Sequence, residues 1–114
     1  MEDCVFCKIV AGELPCTKVY EDDTVLAFED LNPHMPVHTL VIPKKHYANL
    51  ADDVPEELLG HLLAVARKVA EIKDVNESGF RIISNSGKHA FQTVPHLHFH
   101  VLGGGQMNTG NPAV

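Results

Sequence analysis

The run His96-Leu97-His98-Phe99-His100-Val101-Leu102 decides the reading of this chain. Three histidines alternate with large apolar residues. Successive side chains on a β-strand point to opposite faces. Leu97, Phe99 and Val101 are therefore predicted to enter a core, while His96, His98 and His100 share the other face. Neighbouring histidines then lie roughly 6.5–7 Å apart along the strand. Imidazole titrates near neutral pH without any perturbation, and Thr, Lys or Glu would fill solvent positions more cheaply. The run points to chemistry rather than to an ordinary half-exposed strand. Residue type alone leaves two chemistries open: a three-histidine metal site and a nucleophilic histidine with helpers. Convergence on one ion is disfavoured. A flat strand separates the first and third histidines by roughly 13–14 Å, whereas metal–nitrogen bonds are about 2 Å long.

Around this run the pattern is that of an α+β domain with an antiparallel sheet. The histidine strand is expected from Thr93 to Leu102, ended by Gly103-Gly104-Gly105. Val19-Tyr20 and Thr24–Phe28 read as strands around the turn Glu21-Asp22-Asp23. His38–Ile42 is a β-rich run closed by Pro43, and Phe80–Ser84 is a further strand before the turn Asn85-Ser86-Gly87-Lys88. Asn32–Pro36 is a loop by its two prolines. Leu58, Leu62, Val65, Val69 and Ile72 follow helical spacing, and Leu59, Leu63, Ala66 and Ala70 widen the stripe. Asp53 is placed to cap that helix, with Glu56 completing a capping box. An arc this wide suits either a deep core helix or one that meets both a sheet and a partner subunit. The apolar stretch Cys4–Leu14 has room for a helical turn or two before Gly12 breaks it.

The chain has 114 residues, a length of one domain. It is expected over 1–107, with a flexible tail over 108–114. The net charge of −6 argues against a nucleic-acid partner. No apolar run is long enough to span a bilayer, and Met1-Glu2-Asp3 begins no secretory signal. A cytoplasmic protein is expected. Three cysteines in that setting read as thiols or metal ligands rather than a disulfide framework. Cys4-Val5-Phe6-Cys7 has the spacing of a zinc knuckle, with His46 and His96 as candidate further ligands. Two buried cysteines or a redox pair are the alternatives. Cys16 reads as a small apolar filler. Lys44 and Lys45 read as a solvated turn, and His34 and His89 as surface histidines.

Larger stretches carry a resemblance. His96–Leu102 is similar to the His-φ-His-φ-His-φ-φ signature of the histidine triad superfamily. Cys4-Val5-Phe6-Cys7-Lys8-Ile9-Val10-Ala11-Gly12-Glu13-Leu14-Pro15 resembles its N-terminal segment. Phe28-Glu29-Asp30-Leu31-Asn32-Pro33 and His38–His46 resemble its middle, and Val101-Leu102-Gly103-Gly104 followed by Gln106-Met107 resembles the Hint branch. The resemblance covers residues 3 to about 107.

It implies a five-stranded antiparallel sheet with one long and one short helix, dimerising into a continuous ten-stranded sheet. It implies hydrolysis of purine nucleoside 5′-phosphoramidates at the α-phosphorus, through a nucleotidyl-histidine. By the same resemblance, His98 is the nucleophile, His100 stabilises the phosphate, His38 helps move protons, and Thr93 passes a proton to the leaving amine. The tautomer of His98 is fixed by a backbone carbonyl of its own strand. Val5, Phe6, Ile9, Leu14, Phe28 and Leu31 form a slot for the base, Asp30 takes the ribose hydroxyls, and Asn85, Gln92, Thr93 and Val94 surround the phosphate. Cys4, Cys7, His46 and His96 are implied to hold a structural Zn²⁺ with no catalytic role. The chain departs from the family in two places. Phe91 stands where glycine is common, and the tail has no tryptophan. Two other functions use the same scaffold: dinucleotide polyphosphate hydrolysis, as in the Fhit branch, and non-catalytic nucleotide binding.

Overall fold

The computed structural model describes residues 3–109. The expected tail begins just inside this range, and its residues 110–114 lie outside the described residues. Five strands form one open antiparallel sheet: β1 (Lys18–Glu21), β2 (Val25–Glu29), β3 (Val37–Pro43), β4 (Phe80–Ile83) and β5 (Phe99–Gly103). Their spatial order is β1-β2-β3-β5-β4. The histidine strand thus lies inside the sheet, flanked by β3 and β4. A tight turn joins β1 to β2, and Asp22 Oδ1 there accepts the backbone N–H groups of Thr24 and Val25, both at 2.9 Å.

Helix α2 (Glu56–Ile72) packs across one face of the sheet. Leu62, Val65, Ala66 and Val69 meet Val25, Ala27, Val41, Leu97, Phe99 and Val101 there. Each fully buried valine or leucine in this layer stabilises the fold by roughly 1.5–3 kcal/mol. The predicted alternation therefore holds: the three apolar residues of the histidine run enter the core. Leu63 and Ile72, which widen the helical stripe, remain about half exposed at 48% and 49%. Helix α1 (Val5–Val10) lies on the opposite side, where Cys4 and Phe6 pack on Leu26, Phe28, Leu40 and Ile42.

Two local expectations are corrected. Asp53 does not cap α2. The N-cap is Pro55, at φ −57° and ψ 139°, and no side chain caps the helix. Proline forces the residue before it into extended backbone, so Asp53 stands too far from the first turn. Glu56 and Glu57 in that turn still complement the helix dipole. The histidine strand also begins later than Thr93. Its pairing with β3 starts at Val41 opposite Phe99. Pro43 ends β3 and has no N–H for the ladder, and the N–H of Leu97 donates instead to Tyr47 O at 2.7 Å. Gly103, at the end of β5, has a packing reason: a Cβ there would meet the Val75 side chain at 3.0 Å.

Candidate active site and metal centre

His38 and His100 meet because of strand register. His38 pairs with Leu102, and Leu40 with His100, so the two histidines are diagonal neighbours on one face. His38 Nε2 lies 2.8 Å from His100 Nδ1 and 3.2 Å from Asp30 Oδ2. The ring of His98 follows, with its centroid 5.0 Å from that of His100. All three are buried. Phe6 closes the group with an edge-to-face contact on His98 at 5.2 Å.

The hydrogen bonds determine where each imidazole carries its proton. The backbone N–H of His34 donates to His38 Nδ1 at 3.0 Å. Neutral His38 therefore bears its proton on Nε2, and this N–H faces His100 Nδ1. His100 accepts at Nδ1 and keeps its own proton on Nε2. His98 Nδ1 lies 2.7 Å from His96 O, and only the ring nitrogen can donate to a carbonyl. The lone pair of His98 is thus on Nε2. Burial, partly offset by the hydrogen bond to the His96 carbonyl, lowers the pKa of His98 and so favours its neutral form. Burial, followed by the neighbouring His98 and His38, brings His100 down to about 4. Burial also lowers His38, opposed by the Asp30 carboxylate. Asp30, His38 and His100 are close enough to hold a metal ion. The proton on His38 Nε2, however, leaves no lone pair there for one.

Two cavities meet at this cluster. The smaller, about 460 Å³, is lined by Val5, Phe6, Ile9, Leu14, Phe28, Leu31, Asp30, Thr93, Val94, His98 and His100. All these are residues expected at a nucleotide site. Pro15, Cys16, Glu29, Asn32 and Leu40 also line it and were not anticipated. Cys16 belongs to this wall rather than being simple filler. No motif marks it, since only its position after α1 brings it there. The larger cavity, about 1080 Å³, is lined by His38, His100, Thr93, Asp30 and Asn85, together with Arg81, Phe91 and the two histidines read as surface residues, His34 and His89. Gln92 lines neither cavity. Its Oε1 accepts from Asn49 Nδ2 and the Gly87 N–H, at 3.0 and 2.9 Å. Its Nε2 donates to the carbonyls of Ala48 and Val94, at 2.7 and 3.0 Å. The Gln92 amide is fully used in pinning the loop before the histidine run, rather than aimed at a phosphate.

Cys4, Cys7, His46 and His96 converge, with ligand atoms all within 4.8 Å of one another. Cys4 Sγ lies 3.3 Å from His96 Nδ1, and Cys7 Sγ lies 3.3 Å from His46 Nδ1. Tetrahedral zinc with Zn–S of about 2.3 Å and Zn–N of about 2.0–2.1 Å sets S···N separations near ~3.5 Å, so the donor set fits. His96 Nε2 donates to Pro43 O at 2.9 Å, which leaves Nδ1 free to ligate, as the outer shell of a metal-binding histidine requires. Burial lowers the pKa of His96 to about 4, so it is neutral and ready to bind. Burial and the adjacent Cys4 raise the pKa of the Cys7 thiol. Lys44 pairs with Glu21 at 2.8 Å and Lys45 lies over the Tyr47 ring.

The fold is shared with known proteins. A histidine triad protein from Clostridium difficile superposes with a TM-score of 0.91 at 48% identity, covering 97% of this chain and 98% of its own. A HIT family hydrolase from Legionella pneumophila gives 0.90 at 44% identity, over 94% and 97%. A 14 kDa zinc-binding protein of Brassica juncea is 46% identical over 110 residues, 93% of this chain and 96% of that protein. Residues 11–107 match the HIT domain family, and with its triad strand inside an open five-stranded sheet the chain belongs to that family.

Proposed function

We propose that this protein is a hydrolase of purine nucleoside 5′-phosphoramidates. The observation that carries the reading is His98: a buried neutral imidazole whose Nδ1 is held by His96 O at 2.7 Å, on the wall of an apolar cavity. In the reaction, the Nε2 lone pair attacks the α-phosphorus as the P–N bond breaks. The departing amine takes a proton from the Thr93 hydroxyl, and a nucleotidyl-histidine remains. Water then attacks phosphorus. It releases the nucleoside monophosphate, returns Nε2 to its free form, and supplies the proton that restores Thr93. The Nε2–H of His100 faces the developing charge on the phosphoryl oxygens. His38 holds His100 in that tautomer. Asp30 takes the ribose hydroxyls: Asn32 N–H already bonds Oδ1 at 2.8 Å, but a carboxylate has further acceptor sites. The apolar residues of the smaller cavity take the base.

Zn²⁺ at Cys4, Cys7, His46 and His96 is structural. Four protein ligands leave it no open position. The zinc would tie the start of α1 to His96, whose carbonyl holds His98. The zinc-binding name of the Brassica relative, which matches nearly its whole length here, supports this assignment. The half-exposed Leu63 and Ile72 on α2 and the edge strand β4 suit a homodimer. No described helix is long and apolar enough to cross a membrane.

Hydrolysis of adenosine 5′-phosphoramidate and of a diadenosine polyphosphate, measured side by side, tests the reaction. Faster phosphoramidate turnover is expected. Faster cleavage of the dinucleotide would reassign the substrate. AMP binding without any turnover would leave a nucleotide-binding scaffold.

A further inference from the structure

Phe91 is hard to explain as part of the fold. It sits in the left-handed region, at φ 56° and ψ 40°, which bulky side chains rarely adopt. It is also 82% exposed, so burial does not offset the strain. Its backbone is nonetheless held firmly. The Phe91 N–H donates to Lys88 O at 3.1 Å, and the next residue is Gln92, with its four side-chain bonds. A rigid loop thus presents a large aromatic ring in a conformation that glycine would adopt more easily. The ring lines the larger cavity, which also reaches Thr93 and His100 but not His98.

The following inference rests on the proposed reaction. An in-line displacement sends the leaving group away from the attacking His98 nitrogen, into the cavity that His98 does not line. We infer that Phe91 is a stacking platform for the leaving group and selects amines that carry a planar aromatic ring. Arg81 and His89 line the same cavity. Arg81 is held there by a 2.9 Å bond to Asn108 O. Asp30 lines that cavity too, so its charges are mixed, and the selection rests on the planar ring rather than on the charge of the leaving group.

The test compares kcat/KM for three adenosine 5′-phosphoramidates: an arylalkylamine, an alkylamine of matched length, and the unsubstituted amide. Native protein should favour the arylalkylamine over the alkylamine by about tenfold or more, the scale of one aromatic stacking contact. Phe91→Gly and Phe91→Leu should abolish that preference and leave the unsubstituted amide within about twofold, a change far below one stacking contact. Phe91→Gly should also melt at or above the native temperature and keep the native oligomeric state. An unchanged aryl-to-alkyl ratio in both variants would overturn the inference. So would a lower melting temperature or a dissociated Phe91→Gly oligomer, because the ring would then be a structural or subunit contact. The same preference, read as Kd by calorimetry on His98→Ala protein with and without Phe91→Gly, needs no turnover. Its presence without turnover in native protein would remove the proposed reaction and keep the aromatic subsite. Its absence would remove the subsite.

Discussion

The backbone N–H of His34 donates to Nδ1 of His38 across 3.0 Å, and this contact sets the proton positions of His38 and His100. A main-chain donor cannot reverse its role. His38 must accept there, donate from Nε2 toward His100, and so leave the His100 proton on Nε2. Nitrogen-15 spectra of neutral protein are expected to show His38 and His100 protonated at Nε2 and His98 at Nδ1. A His38 protonated at Nδ1 would break the scheme.

The depressed histidines predict how stability depends on pH. His100 is lowered to about 4 in the fold from an ordinary value of 6.5. Above 6.5 it is neutral in both the folded and unfolded states. As pH falls from 6.5 toward 4, the unfolded chain binds a proton that the fold does not. Stability is therefore present at neutral pH and is lost through this window, by about 1.4 kcal/mol per pH unit for this one group. Urea unfolding at several pH values should show a shallower loss in His100→Asn than in native protein. Equal slopes would mean that His100 titrates normally.

Catalytic rate should follow the same chemistry. In the proposed reaction His98 attacks only when neutral, and burial lowers its pKa. Activity should stay level as pH falls through the ordinary histidine range of about 6.5 and decline only below it. A decline centred on the ordinary value would show that burial does not protect the nucleophile.

The proposed zinc ligands connect to the proposed nucleophile through one residue. The His96 side chain faces the cysteines, and its carbonyl holds His98 Nδ1 at 2.7 Å. Cys4→Ala, or removal of the metal with a chelator, should lower the melting temperature and reduce kcat. The loss of rate should be smaller than that in His98→Ala. The metal-free protein melting like the metal-loaded one would show that the site contributes nothing to the fold.

Gln92 has a structural role by geometry. Its four hydrogen bonds join the Ala48–Asn49 segment to the loop carrying Phe91 and Thr93. Gln92→Ala should cost about 2 kcal/mol, since each net bond contributes about 1 kcal/mol and water recovers part of the loss. A shift below about 0.5 kcal/mol in urea unfolding, the range of an ordinary surface substitution, would place Gln92 outside the supporting framework.

Much of this was legible in sequence, for stated reasons. Period-two alternation in His96–Leu102 put Leu97, Phe99 and Val101 in the core, because alternate residues of a strand share one face and here that face meets α2. The helical stripe gave α2 for the same kind of reason. Other features depended on distant partners. The β5 start is set by Pro43 on another strand, and the cap of α2 by Pro55 overriding Asp53. Cys16, His34 and His89 reach the cavities only through the folding of loops, and none lies in a periodic run. The backbone N–H of His34 cannot be read from any side-chain motif.

The central claim is that His98 becomes covalently bonded to the nucleotide. Mixing the protein with adenosine 5′-phosphoramidate, quenching rapidly under alkaline conditions and taking an intact mass tests it most directly. The account predicts a protein carrying one adenylyl group, located on His98 by peptide mapping and absent in His98→Ala. Steady turnover with no adenylylated protein at any quench time, and with His98→Ala still active, would contradict it.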